Sequence, residues 1–134
     1  MTIRARRVWF ALIVIMSAVN LVVFGSAALN LDWVMSGVAH GQYESLPAAW
    51  RVGYLALSIL MVVQVSLARR LLERGGAWSP ASAVGSMLLV LFYVLSTVLY
   101  AISPTNDERW NAIPAVALMV AFFMLRGPED KQSV

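Results

Sequence analysis

Hydroxyl and amide side chains recur within long apolar stretches of the sequence, where few other groups are able to do chemistry. The clearest set has steps that place its members on one face of a helix: Ser82, Ser86, Tyr93, Ser96, Thr97 and Tyr100. Asn20 lies near the middle of an earlier apolar stretch. Together these residues predict a hydrated or hydrogen-bonded groove. The alternative is that the same groups hold neighbouring helices together, as hydroxyl and small residues do between apolar helices.

A charged side chain at the edge of an apolar stretch is the second candidate for function. Arg51 lies four residues after Pro47, inside the stretch 47–68. Its long side chain can reach water without a partner, or it can form the floor of an anion-binding vestibule. It can also join an ion-pair cluster with carboxylates expected on the same side of the protein, which are Glu44, Asp32, Asp107 and Glu108.

The sequence offers little for catalysis or metal binding. It contains no cysteine, which excludes thiolate metal sites and disulfides, and His40 is the single histidine. One chain therefore cannot hold a haem between two histidines. His40 and Glu44 are spaced to share a helix face and bind a metal, but flanking glycines favour a surface histidine in a loop. No catalytic residue, metal site or cofactor is predicted.

The apolar stretches themselves define the fold. The chain is 60% hydrophobic and 13% charged, whereas soluble domains average about 45–50% and about 25%. Three apolar blocks of 22 residues each cover roughly 33 Å, enough for a hydrocarbon core of about 30 Å. The fourth block is shorter, and arginines at its ends extend it. The sequence predicts an all-α integral membrane protein, one domain of residues 1–134, with four transmembrane helices at 8–29, 47–68, 81–102 and 110–125.

The distribution of basic residues predicts how the chain is threaded. Only Arg51 and Arg109, of ten basic residues, lie on one side of the predicted spans. By the positive-inside rule the other side, with both termini, is cytoplasmic. Short connections then favour an up-down-up-down bundle, N-in and C-in. Its segments are an outer loop at 30–46, an inner loop at 69–80, an outer loop at 103–109 and a cytoplasmic tail at 126–134.

The first block has a second interpretation. The basic start "MTIRARR" is typical of a signal peptide, and "GSA" before Ala28 resembles a cleavage site. The apolar stretch is longer than the usual signal-peptide core of about 7–15 residues, which favours a retained span. Cleavage would leave three spans and an outer N-terminus.

These features predict a small polytopic inner-membrane protein without catalytic chemistry of its own. No predicted span contains an acidic residue, which excludes proton coupling through a carboxylate within the membrane. The expected role is that of an accessory or assembly subunit, or of a homo-oligomer. Its expected partners are the lipid bilayer and another membrane protein or a second copy. No basic stripe with interleaved aromatic residues predicts nucleic-acid binding.

Two alternative functions remain open. One is an oligomeric pathway for a small solute or ion, lined by Asn20, the hydroxyl face and Arg51. The other is a membrane sensor that receives a ligand with the outer loop 30–46. Nine arginines against one lysine, with abundant alanine and valine, indicate a high-GC bacterial genome and hence a bacterial inner membrane.

Overall fold

The computed structural model describes residues 1–130, and within that range the chain forms helices joined by short connections, with no strand. The helices are α1 (Ile3–Ala28), α2 (Ala48–Arg74), α3 (Pro80–Ala101), α4 (Asn106–Arg109) and α5 (Ala112–Arg126). Two 3-10 turns, Asp32–Gly37 and Ala39–Gly41, lie between α1 and α2. The prediction of an all-helical chain is confirmed for these residues. Residues 131–134 of the predicted tail lie outside the described range.

Four helical segments among the described residues are long and apolar enough to cross a membrane. They are α1, α2, α3 and the segment Asn106–Arg126, which joins α4 to α5. The joint at Trp110 and Asn111 has a local cause: Pro114, in the first turn of α5, has no amide hydrogen to donate to the Trp110 carbonyl. The start of α3 follows the usual rule for helix N-termini, because the Ser79 hydroxyl accepts from the Ser82 amide at 3.1 Å.

The helices pack unevenly, and the unevenness creates an opening. Helix α1 packs along both α2 and α5, and α3 packs along α5. Helices α2 and α3, which follow each other in the chain, make far fewer contacts. The core between the well-packed helices includes the fully buried side chains of Ile13, Leu118 and Phe122. A space between α2 and α3 is left without a covering helix from the described chain.

A buried polar contact joins three helices halfway along their length. The Gln64 amide of α2 donates to the Ser17 hydroxyl of α1 at 2.7 Å. The Tyr93 hydroxyl of α3 donates to the Gln64 side-chain oxygen. All three side chains are buried, and Gln64 is fully so. Of the hydroxyl residues predicted to share one helix face, Tyr93 takes part in this interhelical network.

Removing the central amide of this network is expected to lower stability moderately. Hydrogen bonds between helices in membrane proteins contribute on average about 0.6 kcal/mol and at most about 1.7 kcal/mol. We expect Gln64→Leu, which breaks both bonds, to lower the free energy of unfolding by about 1–2 kcal/mol, measured by reversible unfolding in mixed micelles. Ser66→Ala is the control, because that exposed hydroxyl bonds only to a carbonyl of its own helix. Equal losses in both variants would contradict this role of Gln64.

One end of the bundle, called here the Arg6 end, is held by a buried arginine. The Arg6 guanidinium is fully buried and donates to three backbone carbonyls. The acceptors are Leu71 of α2 at 2.7 Å, Leu125 of α5 at 3.1 Å and Gly127 at 2.5 Å. Carbonyls at the end of a helix carry partial negative charge and often lack a partner within the helix; the Leu71 carbonyl also accepts from the Gly76 amide, at 2.8 Å. Arg6 therefore ties the start of α1 to the ends of α2 and α5.

Candidate functional site

A cleft of about 620 Å³ lies between α2 and α3. It is at the opposite end of the bundle from Arg6, called here the His40 end. Its volume is within the range of about 300–1,000 Å³ that small-molecule sites occupy. It is open to the outside, since the lining side chains of Trp50 and Leu99 are 40% and 49% exposed. The cleft is lined by His40, Ala49, Trp50, Gly53, Tyr54, Leu57, Phe92, Ser96, Leu99, Tyr100 and Glu108.

One end of the cleft is polar because a buried carboxylate lies there. Glu108 is 5% exposed. Its Oε2 atom is 3.1 Å from His40 Nδ1, and the Ser103 hydroxyl donates to the same oxygen. Buried carboxylates need such donors, because desolvation without compensation costs several kcal/mol. His40 and Ser103 therefore hold Glu108 in place. The rest of the cleft wall is apolar or aromatic except for Ser96, whose hydroxyl donates to a carbonyl of its own helix.

The order of these three groups matters for what they can do chemically. In a nucleophilic triad the imidazole lies between the hydroxyl and the carboxylate, so that it can take the hydroxyl proton. Here the carboxylate of Glu108 lies between Ser103 and His40. No hydrogen bond joins Ser103 to His40 within residues 1–130. The arrangement can bind and orient a molecule, but it does not activate the serine as a nucleophile.

The segment that carries His40 is held in a strained conformation. Ala39 and His40 have φ angles of +47° and +60°, and Gly41 follows at +65°. The left-handed region costs a residue with a Cβ about 1–2 kcal/mol, and such strain persists only where surrounding contacts impose it. The contacts here are the Ala39 amide bond to the Tyr54 hydroxyl, at 2.9 Å, and the His40–Glu108 pair. These contacts offset the strain and keep His40 over the cleft.

The rest of the 30–46 connection is anchored at both ends. Asn30, itself at φ +61°, donates to the Ser45 hydroxyl at 2.8 Å and accepts from the Leu46 amide at 2.7 Å. The Asn111 amide donates to the Gly37 carbonyl at 3.1 Å. The connection is thus closed on itself and fastened to the start of α5.

The Tyr54 hydroxyl gives a direct test of this anchoring. Tyr54→Phe would leave the buried Ala39 amide without a partner, which costs about 1–3 kcal/mol. We expect amide hydrogen exchange to accelerate in the peptide that covers residues 38–42, measured by mass spectrometry. Tyr43→Phe is the matched control, since the Tyr43 hydroxyl makes no hydrogen bond with residues 1–130. Unchanged exchange in Tyr54→Phe would contradict the role of this bond.

The hydroxyl residues predicted to share a groove are divided between different surroundings. Ser96 and Tyr100 line the cleft, whereas Tyr93 belongs to the Gln64 network. Ser96 and Thr97 donate to carbonyls of their own helix, at 2.8 and 2.7 Å. Ser86 lies at the Arg6 end and accepts from Arg126 at 2.9 Å. Asn20 is buried and makes no side-chain hydrogen bond within the described residues.

The residues of the predicted outer ion-pair cluster also have separate partners. Arg51 is exposed and donates to the Ala28 carbonyl at the end of α1, at 2.9 Å. Asp107 accepts from the Ser36 hydroxyl at 2.6 Å, and Glu108 pairs with His40. Glu44 and Asp32 are exposed. Between residues 1 and 130 no ion pair includes Arg51.

Several lining residues were not foreseen from the sequence. Trp50, Gly53, Tyr54 and Leu57 follow helical spacing on one face of α2. In a span where nearly every residue is apolar, that spacing does not stand out. His40 was expected to be a surface residue or to bind a metal together with Glu44, and its side chain is 43% exposed. Its observed partner is Glu108, which only the packing of two distant connections brings near.

Comparisons with known proteins leave the cleft as the main guide to function. Its lining residues, its polar end and its open side are all set by the chain described above. No protein-family model, no curated protein and no solved structure matches this chain.

Proposed function

We propose that the protein is a small multi-pass membrane protein, without catalytic chemistry of its own, that binds a membrane-soluble molecule in the cleft between α2 and α3. The observation that carries this proposal is the cleft itself, which joins apolar walls to a polar end at His40 and Glu108. A molecule with an apolar body and a polar head matches both parts.

The proposed setting is a bacterial inner membrane, with the four spans arranged up-down-up-down and both termini cytoplasmic. The contacts of Arg6 support this arrangement, because they bring the start of α1 beside the ends of α2 and α5. Arg4, Arg7, Arg69 and Arg70 are exposed and belong to the segments at that same end. The positive-inside rule then favours the Arg6 end as cytoplasmic and the His40 end as external.

The open side of the cleft favours entry from lipid. The helix surfaces on both sides of the opening expose large apolar side chains, including Leu55, Leu95 and Leu99. In a bilayer such surfaces face acyl chains, and a molecule dissolved among those chains can enter sideways between α2 and α3. The cleft lies toward the proposed external leaflet.

The outer connection 30–46 gives the proposed function a sensing or accessory character. His40 belongs to this connection and also lines the cleft, so a bound molecule would contact the segment that is held in a strained conformation. A molecule bound in the cleft would favour one conformation of that segment, and another membrane protein or a second copy of this chain would bind to that conformation. The pathway alternative gains less support, because Ser96 and Thr97 use their hydroxyls on their own helix.

Two helical glycines provide a matched test of the cleft. Gly53 lines the cleft, and a Cβ placed there meets nothing within 4 Å. Gly25 of α1 also has open space and does not line the cleft. Gly53→Leu should fill the cleft without a backbone clash, and Gly25→Leu should leave it open. The purified protein is delipidated, and a total bacterial lipid extract is added back.

We expect the extract to raise the apparent midpoint of thermal unfolding of the original chain by several degrees, because ligands that bind only the folded state stabilise it. Gly25→Leu should gain the same increase, and Gly53→Leu should gain little. An equal increase in Gly53→Leu would show that the lipid acts elsewhere on the protein and would overturn the proposal.

A further inference from the structure

Four of the residues that line the cleft are aromatic, and they limit the shape of its occupant. They are Trp50 and Tyr54 from α2, and Phe92 and Tyr100 from α3. The rings of Trp50 and Tyr54 are stacked, with centroids 6.3 Å apart and planes at 27°. Aromatic faces and edges make their largest contacts with another flat ring. The polar end of the cleft therefore fits a planar head group better than a flexible chain.

Tyrosine hydroxyls supply hydrogen-bond donors that the described chain does not use. The Tyr100 hydroxyl makes no hydrogen bond within residues 1–130. In that range Arg6 Nε is the one side-chain nitrogen or oxygen that is completely enclosed and has no partner, so the Tyr100 hydroxyl has access to open space. The Tyr54 hydroxyl accepts from Ala39 and donates to no described group. An occupant with acceptor oxygens would satisfy both donors.

The carboxylate at the polar end selects against an anionic head group. Glu108 is buried and is already held by His40 and Ser103. A phosphate or carboxylate head group would lie near that carboxylate and be repelled by it. A quaternary ammonium group would be attracted by the aromatic faces and by the Glu108 carboxylate, but it offers no acceptor to the hydroxyls of Tyr54 and Tyr100. A neutral ring that bears carbonyl oxygens is not repelled by Glu108 and offers acceptors to the tyrosine hydroxyls.

We infer that the occupant of the cleft is a quinone, an inference that rests on the proposed function. The ring lies between the aromatic side chains near Glu108, and its carbonyl oxygens accept from the hydroxyls of Tyr100 and Tyr54. The isoprenoid tail leaves through the open side between α2 and α3. A volume of about 620 Å³ accommodates the ring and the first part of the tail. The inference concerns binding alone and includes no electron transfer.

A fluorescence titration tests this occupant with a defined probe. A short-tailed ubiquinone is added to the delipidated full chain in mild detergent, and tryptophan quenching is followed. Trp50 lines the cleft and should report binding directly, so Trp50→Phe should lose most of the saturable quenching. The comparison probes, added as competitors, are a lipophilic phosphonium cation and a diacylglycerol.

We expect saturable quenching by the quinone in the original chain and in Gly25→Leu, and its loss in Gly53→Leu. Tyr100→Phe removes one donor and keeps the ring, so it should weaken quinone binding about tenfold, the size of one hydrogen bond. Tyr43→Phe should bind as the original chain does. Neither competitor should displace the quinone at equal concentration.

Two results would overturn the inference that the occupant is a quinone. One is quenching that rises without saturation and equally in Gly53→Leu and Gly25→Leu. The other is displacement by the cation or the diacylglycerol together with unchanged affinity in Tyr100→Phe. In either case the proposed function would stand if the lipid extract still stabilised Gly25→Leu and not Gly53→Leu. The two failures are therefore distinguishable.

Discussion

Gly76→Ala is expected to be the most destabilising single substitution considered for this chain. Gly76 has a φ angle of +115°, which residues with a Cβ rarely adopt. A Cβ there would lie 2.5 Å from the Gly127 carbonyl oxygen and 2.9 Å from that of Arg126. Both are backbone atoms and cannot rotate away. We expect a loss of at least about 3–4 kcal/mol in the free energy of unfolding, seen as poor accumulation and a low unfolding midpoint.

The neighbouring glycine is the control for this prediction. Gly75 is also left-handed, at φ +75°, but a Cβ there would have its nearest contact at 3.5 Å, with the side chain of Glu129. Gly75→Ala should therefore cost only the conformational penalty of about 1–2 kcal/mol. Equal effects of the two substitutions would contradict the close approach of the α2–α3 connection to Gly127.

The second large effect is expected at Arg6. Arg6→Met keeps much of the volume but leaves the carbonyls of Leu125 and Gly127 without their donor. The Leu71 carbonyl loses the guanidinium but keeps the Gly76 amide, at 2.8 Å. Buried acceptors without partners cost about 1–3 kcal/mol each. The variant no longer has to desolvate a charged guanidinium on folding, which offsets part of that cost. We expect a net loss of about 2–4 kcal/mol, measured by reversible unfolding in mixed micelles.

Two further variants separate the charge from its geometry. Arg6→Lys keeps the charge but presents one ammonium group in place of the planar fork, so it should recover only part of the lost stability. Arg7→Met alters an exposed arginine beside it and should change stability by less than about 0.5 kcal/mol. A loss in Arg7→Met as large as that in Arg6→Met would show that total charge, and not the buried contacts, sets stability.

The long helices could be predicted from the sequence because their causes are local. The third span was expected at 81–102, and α3 occupies Pro80–Ala101. Its apolar run, the capping hydroxyl of Ser79 and Pro80 at the first helical position all lie within that stretch. Helix α1 begins earlier than the predicted span, at Ile3. The predicted span began after the polar residues, whereas Arg6 is helical and buried in the structure.

The candidate site could not be predicted because it depends on contacts between distant parts of the chain. Arg6 meets carbonyls of α2 and α5, and His40 meets Glu108. No spacing or motif in the sequence indicates either of these contacts. The cleft itself arises because α2 and α3 lie apart, whereas α1 and α5 pack together. The hydropathy of a helix does not indicate which neighbouring helices it packs against. Tyr100 was expected in a polar groove, and Gly53 and Trp50 were not.

The loop at the His40 end shows the same limit in its backbone. The glycines that flank His40 favoured a loop at that position, and two 3-10 turns lie there. The left-handed conformations of Ala39 and His40 have no local cause. They follow from the Tyr54 hydroxyl and the Glu108 carboxylate, which belong to other elements. Tertiary contacts therefore determine which side chain of the connection reaches the cleft.

The central claim, that the cleft holds a membrane-soluble molecule, is tested most directly by native mass spectrometry. The original chain, Gly53→Leu and Gly25→Leu are purified from the same bacterial membranes in mild detergent and compared for bound mass. We predict one adduct of defined mass on the original chain and on Gly25→Leu, and its loss from most molecules of Gly53→Leu. An adduct of the same mass and occupancy on Gly53→Leu would contradict the claim.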